Sequence, residues 1–561
     1  MNINMKTLNV ESDSSISSFN TIHTLYQLLK DNIEKSYFSS IQQKFEPDVS
    51  MLFNYFNNEI NNPEYNSSLA ILELQAIMLR LSRHHIKKAK MIDNISRFFN
   101  ELFAYCMDKH ILSEINFIKS ELIDRPSLMI INRSIQLLEQ NSIGIKFNFS
   151  FSKQVLGKNN HEGIVKIRTQ LFEKLSKTIN FVSDFPDNLS ELTDKDFNLK
   201  EEQYSKKILD AAIIEQNFEL AYFILNRSLN SDKNNKIISD QLAYRNIGVI
   251  EANIGDFERA IKYFDYAIDV SENIIEYSRN SYIKGLCLIK RLKKVEDGIE
   301  ILEKALEKLC INYKENDFKY KHERAWLING ICLGKTILAN KLKGKERETT
   351  LYELIKEEMK AYKMLQNESS FYLVYLKFNL LANIAFLLEI LEEYQTAIQF
   401  WEKAFAPILV NDAQNREGEK SVTYRLGILN IKLGNYEQAE FLLERSLLLA
   451  RNENNKFHIN VILYSLIYVK LLNNRSKNII DLIIEGKSIS IDLNDKKMSE
   501  NFESSIDCYN GNISISELMI PDVKLISYIP QIDLAFVPEI DLNKHLTTNV
   551  KEKYHEYTRR E

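Results

Sequence analysis

Apolar residues recur along most of this chain at the three- and four-residue spacing of one helix face, in runs separated by polar turns. Ile22, Leu25 and Leu29 begin the pattern and Phe38, Ile41 and Phe45 continue it, while Pro47, Pro63 and Pro126 fall between apolar segments as stops. From about residue 202 the runs come in pairs, with small residues at fixed places among large ones. Tyr244, Ile247, Gly248, Gly255, Phe257, Ala260, Phe264 and Ala267 form one such grid. It returns at Leu381, Ala385, Tyr394, Ala397, Trp401 and Ala404, and again at Leu426, Gly427, Gly434, Tyr436, Ala439 and Leu443. Antiparallel helices approach closely where a residue without bulk sits at their crossing. Gly248 is therefore expected to face Ala260, with Phe257 and Phe264 filling the remaining gap. Pairs repeating at about 34 residues bury each hairpin against the next, so none needs a closed core of its own.

This pattern divides the chain. Residues 1–20 carry too little apolar surface to offset ordering entropy and are expected to be disordered. Residues 21–200 are expected to form an N-terminal helical domain, and residues 201–490 an array of about seven hairpins. In residues 491–561 the period changes to two. Pro521-Asp522-Val523-Lys524-Leu525, Pro530-Gln531-Ile532-Asp533-Leu534 and Pro538-Glu539-Ile540-Asp541-Leu542 are near-copies, each Pro, any residue, β-branched, charged, Leu. Proline disfavours helix for itself and for the residue before it, so this arm reads as extended. Three roles stay open for it: a permanent cap on the last hairpin, a displaceable arm lying in the chain's own groove, or an exposed ligand for another protein.

The grid resembles that of tetratricopeptide-repeat proteins. The resemblance implies an all-α fold, a right-handed superhelical solenoid whose first helices line a concave groove that holds a peptide or protein segment. Carried over, the groove positions are Leu242, Arg245, Asn246 and Val249, then Tyr282 and Leu286, then Asn379, Ala382 and Phe386, then Tyr424 and Ile428. The chaperone-tail clamp of some family members needs a ladder of Lys, Asn and Arg. Here Arg245 and Asn246 are followed by Val249 where that clamp has Asn, which argues against it. A repeat array behind a separate N-terminal domain is also similar to the cytosolic peptide-pheromone regulators of Gram-positive bacteria. That resemblance implies a short peptide in the repeats, although residues 1–70 lack the helix-turn-helix of the DNA-binding members.

A formal net charge of −5 gives no support for nucleic acid as a partner. Cys106, Cys287, Cys310, Cys332 and Cys508 form no C-x-x-C pair, which points to reduced thiols in a cytoplasmic protein without a zinc site. Met1 to Asn20 lacks the apolar core of a signal peptide. Lys377, Asn379, Asn383 and Glu389 interrupt the most apolar stretch, Phe371 to Leu391, so no membrane span is expected. Arg80, Arg83, His84, Lys87 and Lys88 follow i, i+3, i+4, i+7, i+8, a basic stripe along one helix face that suits an acidic partner or is a solvated surface. His84 and His85 point about 100° apart on a helix, so no metal is expected there. No nucleophile motif appears, and neither cofactor nor catalysis is expected. The reading is a peptide- or protein-binding regulator or adaptor. Two alternatives stand beside it: an enzyme or effector acting through residues 21–200, and a structural subunit of a larger assembly.

Overall fold

The computed structural model describes residues 6–12, 19–46, 48–49, 84–150, 180–181, 209, 218–312, 317–368, 373–411 and 416–527, apart from short gaps within these ranges. The chain forms two compact units, one mainly of residues 1–66 and 91–271, the other mainly of 272–533.

In the first unit, β1 (Lys6–Glu11), α1 (Asn20–Asn32), α2 (Lys35–Lys44), α3 (His84–Asp108), β2 (Leu112–Ile118), α4 (Arg125–Gln140), β3 (Lys146–Ser150) and β4 (Asn180–Phe181) precede α5 (Phe218–Asn230), α6 (Asp240–Ile254) and α7 (Phe257–Asp269). The strands make one parallel sheet in the order β1-β2-β3-β4. Residues 1–20 are thus not wholly disordered, and the N-terminal domain is not helical throughout. The strands are brief, and β2 lies between the long helices α3 and α4, so the helical period dominates any window wide enough to detect it. Alternation is nonetheless clean. Val10, Ile115, Phe117, Phe147 and Phe149 are buried in one cluster with Leu25, Leu29, Phe99 and Leu128 from the helices. On the other face of the sheet, Asn9, Asn116 and Asn148 are paired in register, and each amide nitrogen donates to the next carbonyl oxygen, at 3.0 Å and 2.8 Å. In the helical part, Gly248 on α6 faces the Phe264 ring on α7 rather than Ala260: a Cβ added to Gly248 would meet that ring at 2.5 Å, so only glycine admits it.

The second unit is helical hairpins: α8 (Ile274–Cys287) with α9 (Val295–Ile311), α10 (Phe318–Ala339) with α11 (Gly344–Leu365), α12 (Val374–Ile390) with α13 (Tyr394–Asn411), and α14 (Arg416–Lys432) with α15 (Tyr436–Asn452), followed by α16 (Lys456–Leu472), α17 (Ile479–Asp492) and α18 (Lys496–Tyr509). Leu288–Leu292, at the end of α8, is a π-helical turn. The polar stretch before Leu351 is helical, since α11 begins at Gly344. From Phe457 to Lys470 every residue of α16 is buried, so this helix is enclosed on all sides. The expected extended arm starts later than residue 491. Lys496–Tyr509 is helical, capped by Asp495 accepting from the Met498 N–H at 3.1 Å. Gly486 meets Phe502 at the same spacing along the chain as Gly248 and Phe264, a grid pair the sequence reading missed. Beyond α18 the chain makes short 3₁₀ turns at Ile515–Glu517 and Leu525–Ser527.

Candidate functional site

The first helices of successive hairpins in the second unit are α8, α10, α12, α14 and α16. Three half-buried aromatic rings step across the first three of them. Tyr282 on α8 lies 5.4 Å from Trp326 on α10, and Trp326 lies 5.8 Å from Tyr375 on α12. Phe318 and His322 extend the row along α10, with ring centroids 6.1 Å and 6.3 Å apart in the order Phe318, His322, Trp326. These residues are spaced one helical turn apart, so they share a face.

Polar groups hold this row in place. The Trp326 indole donates to His322 Nε2 at 3.2 Å, so that nitrogen accepts and the proton sits on Nδ1, facing Glu323 Oε1 at 3.0 Å. Glu323 is buried and also accepts from Arg279 Nε on α8 at 2.7 Å. At the end of α11, Lys377 donates to the carbonyls of Gln366 and Glu368 at 3.2 Å and 2.7 Å. Burial pushes the Lys377 ammonium below its ordinary pKa, and the Glu368 charge offsets part of that.

A buried carboxylate links α10, α11 and α12. Glu358 on α11 accepts from Asn329 Nδ2 on α10 at 3.4 Å and from Asn383 Nδ2 on α12 at 3.1 Å. The contact fixes which way both amides point. With Nδ2 turned to Glu358, Asn383 Oδ1 is left buried without a hydrogen-bond partner among the described residues.

The positions expected to line the groove divide into two sets. Tyr282, Leu286, Leu242, Arg245, Asn246 and Val249 are half-buried, the last four in the first unit. Asn379, Ala382, Phe386, Tyr424 and Ile428 are buried and serve as packing. Ala382 and Phe386 lie in one cluster with Phe378, Trp401 and Phe405. Tyr424 is covered by the chain itself: its hydroxyl donates to the Asp522 carbonyl at 3.0 Å, beside Ser465 Oγ at 3.3 Å. The sequence reading missed Trp326, Tyr375 and His322 as site residues. Arg80 and Arg83 of the basic stripe lie outside the described residues, as do the side chains of His84, Lys87 and Lys88 in α3.

Among the described residues no group of three or more His, Cys, Asp or Glu is arranged to hold a metal. Burial pushes the Cys106 thiol up to about 12, which leaves it unreactive. No helix among the described residues is long and apolar enough to cross a membrane.

The tetratricopeptide repeat family matches residues 422–453, the α14–α15 hairpin. No curated protein sequence matches the chain. Among solved structures, the apo form of RapI is similar at 15% identity, with 56% of this chain and 84% of that one covered and a TM-score of 0.41. Aspartyl phosphate phosphatase F from Bacillus subtilis is similar at 11% identity, covering 76% and 95%, with a TM-score of 0.33. A STAND protein with a tetratricopeptide repeat sensor from Pyrococcus horikoshii is similar at 12% identity, covering 90% and 94%, with a TM-score of 0.36. The second unit is thus a run of helical hairpins with glycines at their crossings, and one of these hairpins matches the tetratricopeptide repeat in sequence.

Proposed function

We propose that the chain is a regulator or adaptor that binds a short extended peptide or protein segment on the first helices of its second unit. The observation that carries this reading is the half-buried row of rings Tyr282, Trp326 and Tyr375. Aromatic faces supply apolar area to a bound segment at low entropic cost. The C-terminal segment guards the far end of the same row of helices at Tyr424. The basic stripe of α3 and its acidic partner form a separate proposal, tested by reversing Lys87 and Lys88 to Glu and measuring capture of an acidic protein.

The test is native mass spectrometry of the full-length protein purified from its own host, compared with Tyr282→Ala/Tyr375→Ala. A peptide mass present on the parent and lost on the variant, with the melting temperature within a few degrees, is the expected result. Equal occupancy on both proteins would remove the aromatic row as the site, and no bound mass on either would remove the peptide reading.

A further inference from the structure

The segment after α18 is held as a bound peptide is held. Tyr424 on α14 donates its hydroxyl to the Asp522 carbonyl at 3.0 Å, and Tyr464 on α16 donates to the Met519 carbonyl at 2.6 Å. Both contacts read main chain, so they do not depend on which side chain lies there. Selectivity comes from apolar anchors: Leu518, Val523 and Ile526 are buried in one cluster with Tyr424, Tyr464 and Phe502. Pro521 is buried as well, and Leu525 packs against the cluster from its edge. The Asp522 carboxylate accepts from the Lys524 N–H at 2.7 Å, and the Leu525 N–H closes a turn onto the Asp522 carbonyl at 3.1 Å.

Every feature that makes these contacts from Pro521 onward belongs to the first of three near-copies or its edge. We propose that the seat built by α14, α16 and α18 is a binding site for segments of the pattern Pro, any residue, β-branched, any residue, Leu, and that Pro530–Leu534 is its second ligand, taking the seat when Pro521–Ile526 is displaced. In sequence, Pro530, Ile532 and Leu534 correspond to Pro521, Val523 and Leu525, and Gln531 corresponds to Asp522, whose carbonyl Tyr424 reads. The second copy is the weaker ligand for two reasons. Ala535 replaces the buried anchor Ile526, and Gln531, one methylene longer than Asp522, closes the local turn less tightly. Loop-closure entropy grows only logarithmically with length, so looping out the few residues between the copies is a small penalty. The seat is therefore not vacated when its first occupant leaves. This inference stands on residues 424–535 alone and does not depend on the aromatic row.

The experiment uses the full chain and hydrogen–deuterium exchange of α16. In Val523→Asp/Ile526→Asp the first copy is expelled, and α16 is expected to keep its protection within a few-fold of the parent. Adding Ile532→Asp is expected to raise exchange by on the order of tenfold or more, since loss of one buried aliphatic side chain is an effect of that size. Equal exchange in the two variants overturns the proposal. Protection that persists until Ile540→Asp is added assigns the seat to Pro538–Leu542 and overturns the choice of the second copy. Where the aspartates unfold the chain, the milder Ile526→Ala is titrated with a labelled peptide of residues 528–536. Saturable binding that weakens in Tyr464→Phe supports the proposal, and its absence overturns it.

Discussion

Among single residues, Asp93 illustrates how a buried charge is tied to its surroundings. Its carboxylate accepts from Arg97 Nε at 2.7 Å and from Arg133 Nε at 2.8 Å, and Arg133 is itself almost wholly buried. Burial works to raise the Asp93 pKa, but the two guanidiniums outweigh it and hold the carboxyl below the ordinary aspartate value. A carboxylate with a depressed pKa takes up its proton less readily when folded than when unfolded. Its contribution to stability is thus complete above the unfolded pKa and lost as pH falls through the lower folded value. Asp93→Asn leaves Arg133 buried without its counter-charge, at a cost of about 3–5 kcal/mol. Urea unfolding at neutral pH is expected to show that loss, and the variant's acid unfolding should be shallower than the parent's. A difference below about 1 kcal/mol, the range of exposed ion pairs, would show that water reaches the triad.

Elements were legible in the sequence to the extent that their spacing outlasted their neighbours. The α6–α7, α12–α13 and α14–α15 hairpins were found because a small residue is required wherever two helix axes approach, and that requirement marks the sequence directly. Gly486 follows the same rule with Phe502, but the prolines downstream drew the boundary of the arm too early. Strands β1 to β3 were lost among helices, although Phe147 and Phe149 alternate as a strand should. Seeing the site required contacts between repeats: no spacing along the chain joins Tyr282, Trp326 and Tyr375, since each belongs to a different hairpin. The crossings are also where substitutions should matter most. A Cβ at Gly427 would meet Leu443 at 2.9 Å, and at Gly486 it would drive into the Phe502 ring. Gly486→Ala is therefore expected to be the more damaging, by about 1–3 kcal/mol of overpacking, against a smaller loss for Gly427→Ala because a leucine changes rotamer more easily than a ring moves. Thermal denaturation of the two variants checks the order, and a reversed order would place the Phe502 ring elsewhere.

At the scale of the whole molecule, a repeat array has a terminal problem that a globular domain does not: its last helix exposes the face that every earlier hairpin buries against a successor. Here α16 is enclosed on all sides, and beyond α17 and α18 it is enclosed by the segment from Ile513 to Ile526. That segment buries Leu518, Val523 and Ile526 and takes both tyrosine hydroxyls. Burying one aliphatic side chain contributes roughly 1.5–3 kcal/mol, so the segment's three anchors hold a substantial part of the stability of this end. Two truncations separate the cap from the residues beyond it. Ending the chain after Ser527 keeps every contact described for the cap and is expected to leave the melting temperature of the second unit unchanged. Ending it after Tyr509 removes the anchors, exposes the Tyr464 hydroxyl and is expected to lower that temperature by several degrees, with faster exchange confined to α16, α17 and α18. If the shorter chain melted as the longer one does, the segment would be an occupant of the seat without being part of the fold. Its three copies would then act purely as ligands competing for one site.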